Sequence, residues 1–289
     1  PLIEPEYLTD AIAREAVAFI NTNHKKPFFA YVPFNAVHTP IEATKKYQDR
    51  FPNESNQTKR DYYAMTSALD DAVGSIVAAI DKHGLTDNTL VIFVNDNGGP
   101  TYTGVQSNGP LKLGKLFLFE GGIRVPFLAR WPARLPSGST YTAPVHHFDI
   151  YTTAAATAGA DLPTDRPIDG VDLMPYLINT DLTDTPHEHL FFRSGAAQAV
   201  RDERWKLVVS APQGLPRKEW LFDLTSDGEW NNLLAEQPEV AKQLRDALES
   251  HNSEQTEPLW PWITTTARNI DRDLSQQDQP GDEFAYWSN

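Results

Sequence analysis

The sequence contains no cysteine. That excludes a disulfide framework, a thiolate nucleophile and a thiolate zinc site, and it leaves the redox compartment open. Positive charge is scarce as well: 25 lysines and arginines stand against 39 aspartates and glutamates, for a formal net charge of -14 at pH 7. Nucleic acids and anionic membrane surfaces both call for basic patches, so neither is an expected partner, and an anionic substrate has to be held by local cations. Apolar runs are short. None approaches the roughly 20 residues of a membrane span, and the opening PLIEPEYLTD lacks the basic and apolar regions of a signal peptide. No internal repeat is visible. What is present is a 289-residue chain of 40% hydrophobic content, enough to bury a substantial core in one large domain with a smaller one attached.

The stretch TLVIFVNDNGGPTYTGVQSNGPLKLGKLFLFEGGIRVP organises the rest. Its apolar run from Leu90 to Val94 reads as a buried strand and stops at an acid, an amide and two glycines. In α/β sheets ligands bind beyond the carboxyl ends of strands, so Asp96 and Asn97 are placed to turn oxygens into a crevice while Gly98 and Gly99 let the backbone turn away. Two adjacent hard oxygen donors suit calcium or magnesium. The following loop carries Lys112 and Lys115 back beside them, and VPFLARW reads as another strand.

Before this stretch, Thr9 or Asp10 is expected to cap a helix ending near Asn23, and PFFAYVPF is expected to be a buried strand with His38 just past its exit. Asp61 to His83 has the apolar spacing of a long amphipathic helix closed by Gly84. A right-handed crossover from 28–32 to 90–94 in a parallel sheet would put His38 and Asp96 on one edge. After Trp131 come a short helix from Asp149 to Ala158 and a polar, proline-containing boundary near 179–187. Then follow short strands, a helix from Pro238 to Glu249, and a tail rich in Trp, Pro, Asp and Gln expected to wrap the surface without regular structure. The expected domains are 1–180 and 181–289.

The series KPFFAYVPFNAVHTP, YYAMTSALDDAVGSIVAAIDKHGLTDNTLVIFVNDNGG, LKLGKLFLFEGGIRVPFLARWP, AVRDERWKLV and LFDLTSDGEWNNL resembles the formylglycine-dependent type I sulfatase family, in order and spacing. The resemblance implies an α/β, alkaline-phosphatase-like sheet core flanked by helices, with a smaller C-terminal domain of antiparallel sheet plus helix. It implies hydrolysis of sulfate esters at a divalent metal, Ca2+ with Mg2+ as the alternative. Position by position, Asp96 and Asn97 match metal ligands, Lys115 matches the lysine on the sulfate, and His38 matches the histidine near the leaving oxygen. Lys112 stands where the family often has an arginine near substrate, and His147 is a further candidate for lining the pocket. The chemistry suits these types, because a sulfate ester repels a nucleophile until cations neutralise its oxygens and an acid protonates the departing alkoxide.

The family's nucleophile lies in a C/S-x-P-x-R motif, oxidised to formylglycine, and no stretch of this sequence fits it. Asp70 and Asp71 belong to a helical pattern and do not replace the family's first metal aspartates. The chain is therefore expected to correspond to the C-terminal portion of a sulfatase, to need the N-terminal part of the same enzyme, and to be inactive alone. A sulfated carbohydrate is the expected substrate, on the aromatic tail, and a periplasmic or secreted setting fits the acidic composition. Two alternatives stay open: a phosphodiesterase or phosphonate hydrolase of the same superfamily, and a catalytically dead carbohydrate-binding module. Plainer readings also apply. Asp96 and Asn97 can end a strand by bonding their own backbone, and lysines in loops are ordinarily solvated. Glu120 and Arg124 read as an internal ion pair or turn bonds, His146 as helix-entry packing, His187 and His189 as surface, and Trp260, Trp262, Tyr286 and Trp287 as buried anchors of the tail.

Overall fold

The computed structural model describes residues 6–179, 184–226, 228–260 and 262–288. The chain divides into two compact units, Pro1–Ile92 with Leu128–Arg134, and Phe93–Phe127 with Leu135–Asn289. The domain edge expected at 180–181 lies outside the described residues.

In the first unit, helix α1 (Leu8–Asn23) packs on the long α3 (Gln57–Lys82), with the short α2 (Lys45–Gln48) alongside. Ala64, Ala68, Ala72 and Ala79 are all buried on α3, small residues that let the neighbouring elements approach closely. Ile20 meets Ala79 and Ile80, while Tyr47 of α2 fills the space beside Ala64 and Ala68. The start of α3 is set by Asn56, whose side chain accepts from Lys59 N at 3.0 Å, and so precedes the expected start at Asp61. Gly84, at φ +67°, ends it as its composition predicts. Neither Thr9 nor Asp10 caps α1: Tyr7 occupies that position, Thr9 is buried, and Asp10 accepts from the Tyr47 hydroxyl at 2.5 Å.

The expected strand at 28–32 does not form a ladder among the described residues. Its alternation turns Phe28 into the α1–α3 cluster and leaves Phe29 73% and Tyr31 80% exposed. The parallel pairing from which a common edge for His38 and Asp96 was expected is accordingly absent there. Strands β1 (Val91–Val94) and β2 (Phe127–Arg130) pair with each other, separated in sequence by the short α4 (Glu120–Ile123).

In the second unit, α5 (Asp149–Ala158) and α6 (Met174–Ile178) precede a four-stranded antiparallel sheet in the order β3 (Leu190–Ser194), β4 (Ala197–Arg201), β5 (Trp205–Ser210), β6 (Lys218–Asp223). This is the small sheet the sequence predicts, and α7 (Pro238–Ser253) completes it. Successive side chains of a strand face opposite ways. Leu207, Val209 and Leu221 therefore face Ala241, Leu244 and Leu248 of α7. Val208, Trp220 and Phe222 face the other way, where Leu113, Phe117 and Phe119 of the lysine loop cover them. Burial on both faces explains the near-continuous apolar run of β5. The tail departs from expectation: β7 (Thr265–Asn269) and β8 (Phe284–Ser288) form an antiparallel hairpin that adds Ile270 and Ala285 to that second face. No helix among the described residues is long and apolar enough to cross a membrane.

Candidate functional site

The backbone of the second unit folds the loop after β1 and the lysine loop into one another. Asn95 N donates to Pro126 O at 3.3 Å, and Gly98 N to Gly122 O at 2.9 Å. A Cβ on Gly98 would lie 1.7 Å from the Gly121 carbonyl oxygen, so this approach admits only glycine. The Gly99 carbonyl accepts from Lys115 N at 3.2 Å and from the Asn108 side-chain amide at 2.9 Å. Asn108 also accepts from Gly99 N at 3.0 Å and donates to Leu113 O at 2.8 Å. It is thus a clamp between the Asp96–Asn97 loop and the Lys115 loop. Sequence reasoning passed over it, because an Asn-Gly pair reads as an ordinary turn.

Leu113 and Leu116 hold φ of 60° and 89°, flanking Gly114 and Lys115. Left-handed backbone at a branched residue costs on the order of 1–3 kcal/mol and persists only where the surroundings over-determine it. Here the burial of Leu113, Phe117 and Phe119 against the sheet does so. The strain falls on the two residues that frame the candidate sulfate-binding lysine.

Beyond β1, Asp96 is exposed and Asn97 half-buried, and Asn97 N donates to Asp96 Oδ1 at 2.9 Å. The backbone-bonding reading of these residues therefore holds for Asp96, and it orients the carboxylate while leaving its other oxygen available. Among the described residues no group of three or more His, Cys, Asp or Glu could hold a metal ion. Asp96 and Asn97 present two adjacent hard oxygen donors, the type that suits calcium or magnesium, and do not by themselves make a complete site.

His147 reaches the same strand end, its Nε2 lying 2.8 Å from the Asn95 carbonyl, a bond that requires the proton on Nε2. Beside it His146 is half-buried and stacks on Phe148 at 4.0 Å. Burial, and then the neighbouring His147, push its imidazolium down to about 4, against the opposing pull of Asp149. A histidine held neutral in the fold but free to protonate when unfolded stabilises fully above about pH 6.5 and loses that contribution as pH falls toward 4. With solvent screening of a half-buried ring, the loss is about 1–2 kcal/mol. Denaturant midpoints measured between pH 7 and 4.5 should fall less in His146→Phe than in the parent.

Asp149, fully buried, accepts from His146 N at 2.7 Å and Val171 N at 3.0 Å and lies 2.9 Å from His187 Nε2. His187 is therefore not a surface residue; its side chain is 9% exposed and ties β3's approach to the start of α5. His189 is half-buried beside Phe191.

Lys112 points inward. It is 4% exposed, with Nζ 5.2, 5.3 and 5.8 Å from the rings of Trp230, Phe119 and Phe222 and 4.0 Å from an Asp271 carboxylate oxygen. Glu120 is also internal, though its close partners are Arg201 at 2.9 Å and Lys206 at 3.0 Å, while Arg124 N donates to its backbone carbonyl at 2.8 Å. Lys206 is shared with Glu229 at 2.8 Å, and Glu229 accepts from Glu120 N at 2.6 Å. Burial drives both carboxyls upward; Lys206 and Arg201 outweigh it at Glu120, which ends below its usual range, whereas at Glu229 burial together with the Glu120 charge outweighs Lys206, and the group ends above. This four-residue cluster fastens the EGG turn to the small sheet. His38 belongs to the first unit, where it is exposed with Nδ1 2.9 Å from Thr39 O. The other five candidates belong to the second. Of the tail aromatics, Tyr286 and Trp287 are half-buried as anchors, but Trp260 is 79% exposed.

Residues 2–160 match the family model described as Sulfatase, and residues 112–254 match that described as N-sulphoglucosamine sulphohydrolase, C-terminal. The chain is 32% identical to a sulfatase of Formosa agariphila over 81% of its own length and 47% of that protein. It is 33% identical to the N-acetylgalactosamine-6-sulfatase of Rattus norvegicus, over 69% of its length and 37% of the relative's. The chain thus spans less than half of these curated relatives. A crystal structure of Ps i-CgsB in complex with k-i-k-neocarrahexaose superposes with a TM-score of 0.81 at 33% identity, covering 90% of this chain and 58% of that one.

Proposed function

Because the chain belongs to the sulfatase family and shares its alkaline-phosphatase-like fold, we propose that it is part of an enzyme that hydrolyses sulfate esters of a carbohydrate. The observation that carries this reading is the Lys115–Gly99 backbone bond with its Asn108 clamp, which joins the loop of the two oxygen donors to the loop of the lysine. A cation and an ammonium group held together in this way suit an anion whose equatorial oxygens need neutralising.

In this reading Lys115 binds a sulfate oxygen, and Asp96 and Asn97 supply two donors to Ca2+, or to Mg2+. When bound, that ion polarises the ester and stabilises developing charge. His38 donates a proton to the leaving alkoxide. His147 holds the strand end through the Asn95 carbonyl and borders the pocket. Lys112, drawn into its aromatic surround, supports the loop from inside and is not assigned to substrate. No residue of this chain fits the formylglycine motif, so no nucleophilic step is assigned to it. The carbohydrate preference is supported by the hexosamine named for the rat relative and the oligosaccharide in the Ps i-CgsB complex. A periplasmic or secreted setting accords with such substrates.

The test is release of sulfate by the full-length protein, with an aryl sulfate set beside an aryl phosphodiester. Turnover of the sulfate should exceed that of the diester, and the reverse order would favour the phosphodiesterase reading. Asp96→Ala should lower bound divalent metal as read by elemental analysis, with folding retained; unchanged metal content would remove Asp96 from the ligand set.

A further inference from the structure

The EGG turn at the start of α4 is a hub for both loops of the candidate site. Gly122 O accepts from Gly98 N, and Gly121 N donates to Lys112 O, each at 2.9 Å. Both glycines press on backbone. A Cβ on Gly121 would lie 2.2 Å from Leu113 O, and one on Gly122 would lie 2.1 Å from Phe117 O and 2.7 Å from Gly114 O. A shift of this turn is therefore passed to Gly98, next to Asn97, and to the segment 112–117 that contains Lys115.

The hub is gripped by a turn of the small sheet, 228–230. Glu229 is 0% exposed; its Oε2 accepts from Glu120 N at 2.6 Å, and its Oε1 lies 2.8 Å from Lys206 Nζ. The next residue, Trp230, sets its ring 5.2 Å from Lys112 Nζ at the start of the lysine loop. The turn is itself tied to β6, where Leu233 N donates to Leu221 O at 2.8 Å and Asn232 Oδ1 accepts from Leu221 N at 3.0 Å. Glu229 holds φ of 85°, directly after Gly228 at 70°. Left-handed backbone at a residue other than glycine persists only where its surroundings over-determine it, and such residues gather at functional sites. A buried carboxylate is costly unless donors meet it, and this one takes one on each oxygen.

We propose that Glu229 is a positioning residue for sulfate-ester hydrolysis: through Glu120 N and the EGG turn it sets the Asp96–Asn97 loop and the Lys115 loop relative to one another. It touches neither substrate nor ion. The proposal rests on the sulfatase reading for what the two loops hold. Reacting groups have to be kept within about 0.5 Å of productive geometry by neighbours that are themselves locked, and a misplacement of about 1 Å costs on the order of 10²-fold in rate. The small sheet then contributes to turnover through one side chain, besides packing.

The test compares three variants of the full-length protein. Glu229→Gln keeps the size of the side chain but offers one acceptor oxygen to two donors. Glu229→Asp keeps the charge beside Lys206, which protects the fold, and shortens the reach to Glu120 N. Leu244→Ala is the control for stability alone: Leu244 packs on the opposite face of the sheet, so its truncation destabilises that sheet without touching the hub. Both Glu229 variants should lower kcat for an aryl sulfate by about tenfold or more, with a smaller change in KM. Amide hydrogen exchange in peptides covering 95–99 and 112–117 should speed up by about tenfold in them. Leu244→Ala should leave kcat and the exchange of those peptides within about twofold of the parent, although its denaturant midpoint falls. Parental kcat and exchange in the Glu229 variants, or equal losses in Leu244→Ala at matched stability, would overturn the positioning role. Failure of the sulfatase reading shows separately, as a parent that releases no sulfate, and the exchange rates still decide whether Glu229 sets the two loops.

Discussion

Replacing Lys115 by alanine in the full-length protein should lower turnover of a sulfate ester by about 10²–10³-fold, the effect of deleting one preorganised charge-stabilising donor. The loss should fall on kcat at least as heavily as on KM, because the ammonium does most for the charge that builds up as the ester breaks. The fold should survive. Lys115 is held through its backbone, whose bond to Gly99 the substitution leaves in place, and its half-buried side chain takes no part in the apolar cluster formed by its neighbours. Thermal unfolding should therefore move by less than about 2 °C. Near-parent turnover in Lys115→Ala would remove this residue from the sulfate site.

Lys206→Met should have the largest effect on stability. The ammonium lies between Glu120 and Glu229, with both its own side chain and that of Glu229 fully buried. Removing it leaves two carboxylates facing each other, with Arg201 still paired to Glu120. Breaking a buried pair on one side costs about 3–5 kcal/mol, and here the like-charge contact adds to the penalty. Chemical denaturation should show that loss or a protein that does not fold. Neutralising the acids as well, in Lys206→Met with Glu120→Gln and Glu229→Gln, should restore a substantial part, since replacing a whole buried ionic cluster costs far less than orphaning its members. A single Lys206→Met with parental stability would mean that the cluster does not anchor the EGG turn. It also bears on the site, because Gly121 and Gly122 in that turn pack directly on Gly98.

Local patterns carried much of this structure into the sequence. The run ending at Asp96 is legible because a buried strand has to stop where polar oxygens begin, and β3 to β6 are legible as short apolar runs separated by polar turns. The helices α1 and α3 are marked by apolar spacing, and α3 also by Gly84 past its end. What stayed hidden depends on partners distant in the chain. Asn108 gives no sign that it will bridge two loops, and Lys206 is separated from Glu120 by 86 positions. His187 alternates with His189 as a strand residue would, but only the fold brings the Asp149 carboxylate beneath it. Residues 28–32 show the opposite failure: their apolar content signals burial, yet without a paired strand Phe29 and Tyr31 remain exposed. In the tail, composition suggested irregular chain, while two five-residue segments sufficed to make a hairpin.

For the site itself, residue types and family resemblance named the candidates, and the fold of the second unit joins the oxygen-donor loop, the lysine loop and His147 around the end of β1. It separates Lys112 from that group by burying it. The chemistry assigned to the group is most directly tested by a crystal structure of the full-length protein grown with calcium and sulfate. Calcium should appear within about 2.3–2.6 Å of side-chain oxygens of Asp96 and Asn97, with a sulfate oxygen about 2.7–3.0 Å from Lys115 Nζ. Calcium and sulfate bound elsewhere, with Asp96 and Lys115 facing solvent, would contradict the account.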